Sequence, residues 1–208
     1  MTALPPIATL PTSTASPLAA AFEWCGDGRT RRLVWDLDEA SPDLVHHGAG
    51  VAALAGAVGT RLRFGRSRLA TLSRAALLHD VGKRFVPRAL LEKPQGLAAH
   101  ERRVVEMHAT VGSMLLLQEG LLAEAAIVRH HHERWDGAGY PDRMIGEEIP
   151  LEARIIFVAD TFDAMTSDRP YRVAMSREAA LDEMRRLAGS QLDPDCVALV
   201  CEVLGAPA

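Results

Sequence analysis

From about residue 41 onward the chain keeps a helical rhythm, with apolar residues returning every three or four positions and polar ones between them. In SPDLVHHGAGVAALAGAVG, Ser41 stands as N-cap and Pro42 at the first helical position, while Leu44, Val51, Leu54 and Val58 line one face. RSRLATLSRAALLHDVGK predicts a second helix whose apolar run continues through Leu77 and Leu78 and stops at Gly82. LAAHERRVVEMHATVGSMLLLQEG and LLAEAAIVRHHHERW predict a third and a fourth. After a glycine-rich loop, PLEARIIFVADTFDAMTS reads as an apolar helix, and SREAALDEMRRLAG and DPDCVALVCEVLG each carry an N-cap residue in front and glycine behind. No segment alternates strongly with period two, so the expected fold class is all-α. Residues 22–40, FEWCGDGRTRRLVWDLDEA, fit either a short strand pair or an extra helix, and the pattern does not choose. There is no internal repeat or heptad array.

Composition narrows this picture. At 208 residues and 48% hydrophobic, the chain is long enough for one domain with a real core and some unstructured flank. A net charge of −4 argues against a surface that holds polymeric nucleic acid through its phosphates, so an anionic ligand has to be met by local positive charge, including bound metal ions. Cys25, Cys196 and Cys201 are odd in number and lack CxxC spacing, which disfavours a disulfide framework and a zinc-thiolate site and suggests a reduced, cytoplasmic protein. The first residues, MTALPPIATLPTSTASPLAAAFEW, carry no Lys or Arg and break every apolar run with proline. They match no secretory or mitochondrial leader and read as a poorly structured tail that docks on the domain or links to a partner. No apolar run reaches membrane-spanning length, so no membrane association is expected.

The chemistry lies in histidine and aspartate. His47, the pair His79 and Asp80, His108, the pair His131 and His132, and Asp160 fall at helix ends or on helix faces. Imidazole and carboxylate without thiolate suit iron, manganese, zinc or nickel, and there are more ligands than one tetrahedral ion needs, which points to two ions sharing a bridge. A single histidine on an apolar helix is more often a core or surface residue. An apolar run such as AALLHD, however, should not end in two inward polar groups unless something satisfies them, because burying them unpaired costs several kcal/mol. Adjacent residues leave a helix about 100° apart, so His79 and Asp80 share one site only if it is wide or lies at the helix end.

The motifs HDVGK (79–83) and HHERWDGAGYP (131–141) resemble those of the HD-GYP branch of the HD-domain metal-dependent phosphohydrolases. KPQGL, HATVG around His108, GEEIPLEARIIFVADTFDAMTSDRPYR (146–172) and GSQLDP (189–194) extend the likeness in order and spacing. The resemblance implies an HD-domain helical bundle with an HD-GYP extension over residues 42–204, preceded by a tail or partly structured linker at 1–41 and followed by a tail at 205–208.

It further implies two divalent ions held by His47, His79, Asp80, His108, His131, His132 and Asp160, with Asp80 as the bridge. Iron or manganese is the first expectation, zinc or nickel the alternative. Asp43, four residues before His47 and on the same helix face, is the candidate ligand for a third ion, although the helix dipole alone favours an aspartate there. Lys83 is similar to the family's lysine that meets a phosphate oxygen. Arg169 and Arg172 resemble its phosphate-holding positions, with arginine where lysine is common at the second. In the glycine loop, Gly137 and Gly139 permit positive φ and close backbone approach, and Tyr140 lies beside the site and contacts substrate. The family register selects His47 over His46 and the 131/132 pair over His130, leaving His46, His130 and His100 outside the ligand set. The implied reaction is hydrolysis of cyclic di-GMP to pGpG, and in some members to GMP, by a hydroxide bridging the two ions. The alternatives are another nucleotide or cyclic dinucleotide as substrate, or a cyclic di-GMP sensor or interaction module with little turnover. A protein partner or a homodimer is compatible with either.

Overall fold

A computed structural model describes residues 28–168 and 173–205. Its elements are α1 (Gly28–Ala40), α2 (Pro42–Arg61), α3 (Arg66–Leu77), a 3₁₀ segment (Val81–Phe85), the short α4 (Arg88–Leu91), α5 (Ala99–Gln118), α6 (Leu122–His130), a second 3₁₀ segment (Gly146–Glu148), α7 (Leu151–Thr166), α8 (Arg177–Leu187) and α9 (Pro194–Val203). The described residues hold no β-strand beyond an isolated bridge between Ala188 and Leu192. The all-α expectation is met.

Within residues 22–40, the part that is described is a helix: α1 buries Leu33, Val34 and Leu37 against α2. Ser41 occupies the N-cap of α2 with Pro42 behind it, although the Ser41 side chain accepts no capping hydrogen bond. Ser176 and Asp193 do cap with their side chains, accepting from Ala179 N and from Asp195 N and Cys196 N.

Helix α2 lies at the centre, packed on α1, α3, α7 and α9, and its buried Val45, Val51, Leu54 and Val58 meet a core that includes Leu72, Leu77, Ile155, Ile156 and Val200. On the other flank α5 packs on α6 and on the first 3₁₀ segment, and α6 in turn on α3. A buried ion pair joins the last two: Arg74 Nε donates to Glu124 Oε1 at 2.8 Å, with the carboxylate almost fully enclosed. Cys196 and Cys201 are buried and free, whereas Cys25 lies outside the described residues.

Two helix ends differ from the sequence pattern, and both differences shape the site. Helix α3 stops at Leu77 rather than at Gly82, and helix α6 stops at His130 rather than running to Trp135. The doublet His79–Asp80 and the pair His131–His132 therefore leave from turns just beyond helix C-termini. Side chains in such turns escape the 100° divergence of a regular helix.

Candidate metal centre

Five segments deliver the implied ligands to one place. His47 comes from the first half of α2, His79 and Asp80 from the turn after α3, His108 from the middle of α5, His131 and His132 from the end of α6, and Asp160 from α7. The imidazoles are interleaved edge to face, with ring centroids 5.1 Å apart for His47–His79 and His79–His131 and 5.3 Å for His108–His131. His79, Asp80, His108 and His131 are buried to 1% exposure or less, an expensive location for four polar side chains.

Asp80 is at the centre. Its Oδ2 lies 3.4 Å from His79 Nε2 and 3.9 Å from His47 Nε2, and its Oδ1 lies 3.4 Å from His108 Nε2. Two groups of ligand atoms result, His47 with His79 and Asp80, and His108 with His131, His132 and Asp80, each close enough to hold one ion. Asp160 flanks the first group, 3.0 Å from His47 Nε2.

The hydrogen bonds determine which nitrogens face inward. The Nδ1 atoms of His79, His108 and His131 lie 2.7, 2.7 and 2.6 Å from the carbonyls of Ala76, Val105 and Val128. A carbonyl only accepts, so each Nδ1 carries a proton and each Nε2 points inward, as a bare lone pair on His108 and His131, whose burial disfavours the charged form. His108 Nε2 and His131 Nε2 then face each other at 3.3 Å, lone pair to lone pair. His79 Nε2 and Asp80 Oδ1 are buried without a hydrogen-bond partner. Apart from Lys83 at the rim and His47 between its carboxylates, the converging groups are acceptors of the kind divalent cations satisfy, and nitrogen with carboxylate oxygen is the donor set of iron, manganese or zinc. The residues fit two ions.

The protonation equilibria follow from the same packing. Burial, reinforced by the neighbouring His108, lowers the His132 pKa to about 3, and burial likewise lowers those of His131 and His108. Burial opposes charge on His47 too, but hydrogen bonds to Asp160 and Asp163 and the charges of Asp160 and Asp80 outweigh it and push the pKa up to about 10. Asp80 is itself held well below the carboxylate range: burial would raise it, but Lys83 and His79 prevail. Lys83 Nζ donates to Asp80 Oδ2 at 2.5 Å from the rim of the site.

The glycine-rich loop forms one wall. Gly137 takes φ +77°, whereas Gly139 serves close approach only: a Cβ there would sit 2.3 Å from Arg134 N. The Tyr140 ring lies 4.9 Å from that of His132. Glu133, absent from the candidate residues, is buried and accepts from the amides of Asp142 (2.6 Å) and Met144 (3.1 Å), tying down the chain just after Pro141. Asp163, also absent from them, lies 2.6 Å from His47 Nδ1. Its position three residues after Asp160 on an apolar helix was the available clue.

His46 and His100 are exposed, and His130 turns to Asp142 and the Ala126 carbonyl, outside the cluster. Asp43 is exposed in the first turn of α2 and belongs to neither ligand group. Arg169 and Arg172 lie outside the described residues.

A helical bundle that gathers these ligands defines a class, and the comparisons give its family. The chain belongs to the HD domain family, which matches residues 27–196, and within it to the HD-GYP proteins. It is 42% identical over 147 residues to the cyclic di-GMP phosphodiesterase response regulator RpfG of Xanthomonas campestris, covering 69% of this chain and 39% of that protein. It is 38% identical over 169 residues to 3′3′-cGAMP-specific phosphodiesterase 3 of Vibrio cholerae, covering 81% of this chain and 37% of that one. A cyclic di-GMP phosphodiesterase of Thermotoga maritima is 36% identical over 154 residues, 73% of this chain and 42% of the relative. The chain thus spans between 37% and 42% of these relatives' lengths.

Among solved structures, Bd1817, an HDG"Y"P protein from Bdellovibrio bacteriovorus, superposes with a TM-score of 0.68 at 16% identity over 92% of this chain and 70% of that one. The HD domain of Listeria monocytogenes PgpH in complex with cyclic-di-AMP gives 0.61 at 17% identity, covering 83% of this chain and 93% of that one. These likenesses establish the fold. No helix among the described residues is long and apolar enough to cross a membrane.

Proposed function

We propose that this chain is a metal-dependent phosphodiesterase that hydrolyses a cyclic dinucleotide, with cyclic di-GMP as the preferred substrate. The observation that carries the reading is Asp80, buried and shared by two groups of converging ligand atoms, as a carboxylate bridging two ions would be. Two divalent ions held by His47, His79, Asp80 and Asp160 on one side and Asp80, His108, His131 and His132 on the other would activate water and neutralise charge on the scissile phosphate.

The protein's own residues do the remaining work. His79, His108, His131 and Asp80 exclude bulk water from the floor of the site, since they leave almost no accessible surface. Lys83, at the rim with 24% of its side chain exposed, adds positive charge for a non-bridging phosphoryl oxygen. Tyr140, on the wall beside His132, offers a ring face against ribose or base. Arg169 and Arg172 are assigned to hold the phosphate by their place in the DRPYR motif. In the reaction a water oxygen bonds to phosphorus, the P–O3′ bond breaks, and the 3′ oxygen takes up a proton, leaving the linear dinucleotide pGpG. A second cleavage would give GMP.

A second reading, 3′3′-cGAMP as substrate, is favoured by the relative named for that nucleotide at 38% identity. The metal ligands recognise phosphate and do not choose between purines. The test is product chromatography after incubating protein, reconstituted anaerobically with iron or with manganese, with cyclic di-GMP, 3′3′-cGAMP or cyclic di-AMP, beside an Asp80→Ala control. Formation of pGpG by the parent alone supports the proposal. Faster turnover of 3′3′-cGAMP selects the second reading, and no cleavage of any of the three with both ions bound overturns both.

A further inference from the structure

His47 differs from the other inward-facing histidines whose Nδ1 partner is known. His79, His108 and His131 each spend their Nδ1 proton on a backbone carbonyl three residues earlier. His47 spends its own on a carboxylate: Asp163 Oδ2 lies 2.6 Å from Nδ1. Asp160 and Asp163 are three residues apart and so share a face of α7. Between them they bracket one imidazole, Asp160 Oδ1 being 3.0 Å from Nε2.

The crossing of α2 over α7 is built around this contact. Gly50 lies three residues after His47 on the same face of α2, and a Cβ there would come 2.6 Å from Asp163 Oδ1. Any larger residue would occupy the space the carboxylate fills. The Ser167 hydroxyl, one turn further along, is 3.4 Å from Asp163 Oδ2, the same oxygen that meets His47.

We infer that Asp163 is a positioning residue for His47, and that Gly50 is the position in α2 that admits it. The carboxylate holds the proton on Nδ1, presents Nε2 to the ion shared by His47, His79 and Asp80, and makes this imidazole a stronger donor than a carbonyl partner would. The inference rests on the proposed metal centre. Its consequence is selective: the ion of the His47 group depends on Asp163, and the ion of the His108 group does not.

The test uses metal alone, without nucleotide. Zinc or manganese is titrated against a chelator into the full chain of the parent, Asp163→Ala, Asp163→Asn and Gly50→Ala, with melting of the metal-free proteins alongside. Asp163→Ala is expected to weaken one of the two ions by about 10- to 100-fold and leave the other unchanged. Asp163→Asn, whose amide oxygen still accepts from Nδ1 but carries no charge, should fall between parent and alanine. Gly50→Ala should reproduce the alanine pattern with Asp163 still present. Parent affinity for both ions in Asp163→Ala overturns the inference, as does equal weakening of both with a lowered melting temperature. A parent that binds both ions yet cleaves no cyclic dinucleotide refutes the proposed reaction and leaves this inference standing. A parent that binds no ion overturns both.

Discussion

Substituting Gly82 with alanine tests whether the site depends on the close approach of two backbones. Gly82 lies two residues after Asp80 in the 3₁₀ segment and faces α5, and a Cβ there would be 2.0 Å from the carbonyl oxygen of His108 and 2.7 Å from Gly112 N. A carbon and a carbonyl oxygen normally come no closer than about 3.3 Å. Relief therefore demands a local opening of about 1.3 Å, and the obstacle is the backbone that carries His108, which no side-chain rotation can clear. That opening would separate Asp80 Oδ1 from His108 Nε2, now 3.4 Å apart, where metal ligands tolerate only about 0.2 Å of misplacement. Overpacking of this kind costs roughly 1–3 kcal/mol, a fall in melting temperature of about 2–12 °C for a chain of this size. A shift of about 1 Å among reacting groups costs on the order of 100-fold in rate. Chelator competition should show Gly82→Ala losing the ion of the His108 group first, with melting and turnover following. If the variant held both ions at parent affinity and turned over within about threefold of the parent, the argument from close approach would be refuted.

The histidine equilibria predict opposing pH effects in the metal-free protein. His132, lowered to about 3, and the likewise lowered His131 and His108 stay neutral when folded but take up protons near 6.5 when unfolded. Their contribution is complete above pH 6.5 and declines as pH falls toward 3, which denaturant melts along a pH series would read. His47, raised to about 10, works in the opposite sense: its contribution is complete below pH 6.5 and is lost as pH rises toward 10. Binding a metal must expel its proton, so zinc titration at pH 8 should release acid, measurable with an indicator dye, and His47→Ala should remove that release. Glu124→Ala, which strands Arg74 in a largely enclosed position, should cost about 3–5 kcal/mol in chemical denaturation. Lys83→Met should leave both ions in place while lowering kcat/KM by about 10- to 1,000-fold, a split that metal analysis and kinetics together resolve.

Much of the architecture was legible in the pattern of residues, because helix periodicity and capping are local properties. Ser41 with Pro42, Ser176 and Asp193 each mark a helix start, and Val51, Leu54 and Val58 of α2 are buried as their spacing requires, whereas Leu44 is only partly buried and Val45 beside it is enclosed. The helix ends were less legible. The apolar run through Leu77 and Leu78 and the ordinary helix propensity of RHHHERW continue past the points where the chain turns, so neither end carries a local stop signal. Residues 22–40 read two ways because α1 owes its helix to the apolar stripe that it buries on α2, a tertiary partner.

The sequence by itself determined the class of protein and the identity of the candidate ligands, because clustered histidine and aspartate in ordered motifs carry their chemistry in residue type and spacing. Only the tertiary structure decided which nitrogen of each ring faces inward, and that Asp163 and Gly50 belong with His47. These depend on where carbonyls, carboxylates and backbones from distant segments meet: Asp163 lies 116 residues from His47 and Gly82 presses on the carbonyl of His108. Periodicity reports which face of a helix is buried, whereas hydrogen-bond partners and close approaches arise from the crossing of helices and exist only once they have packed.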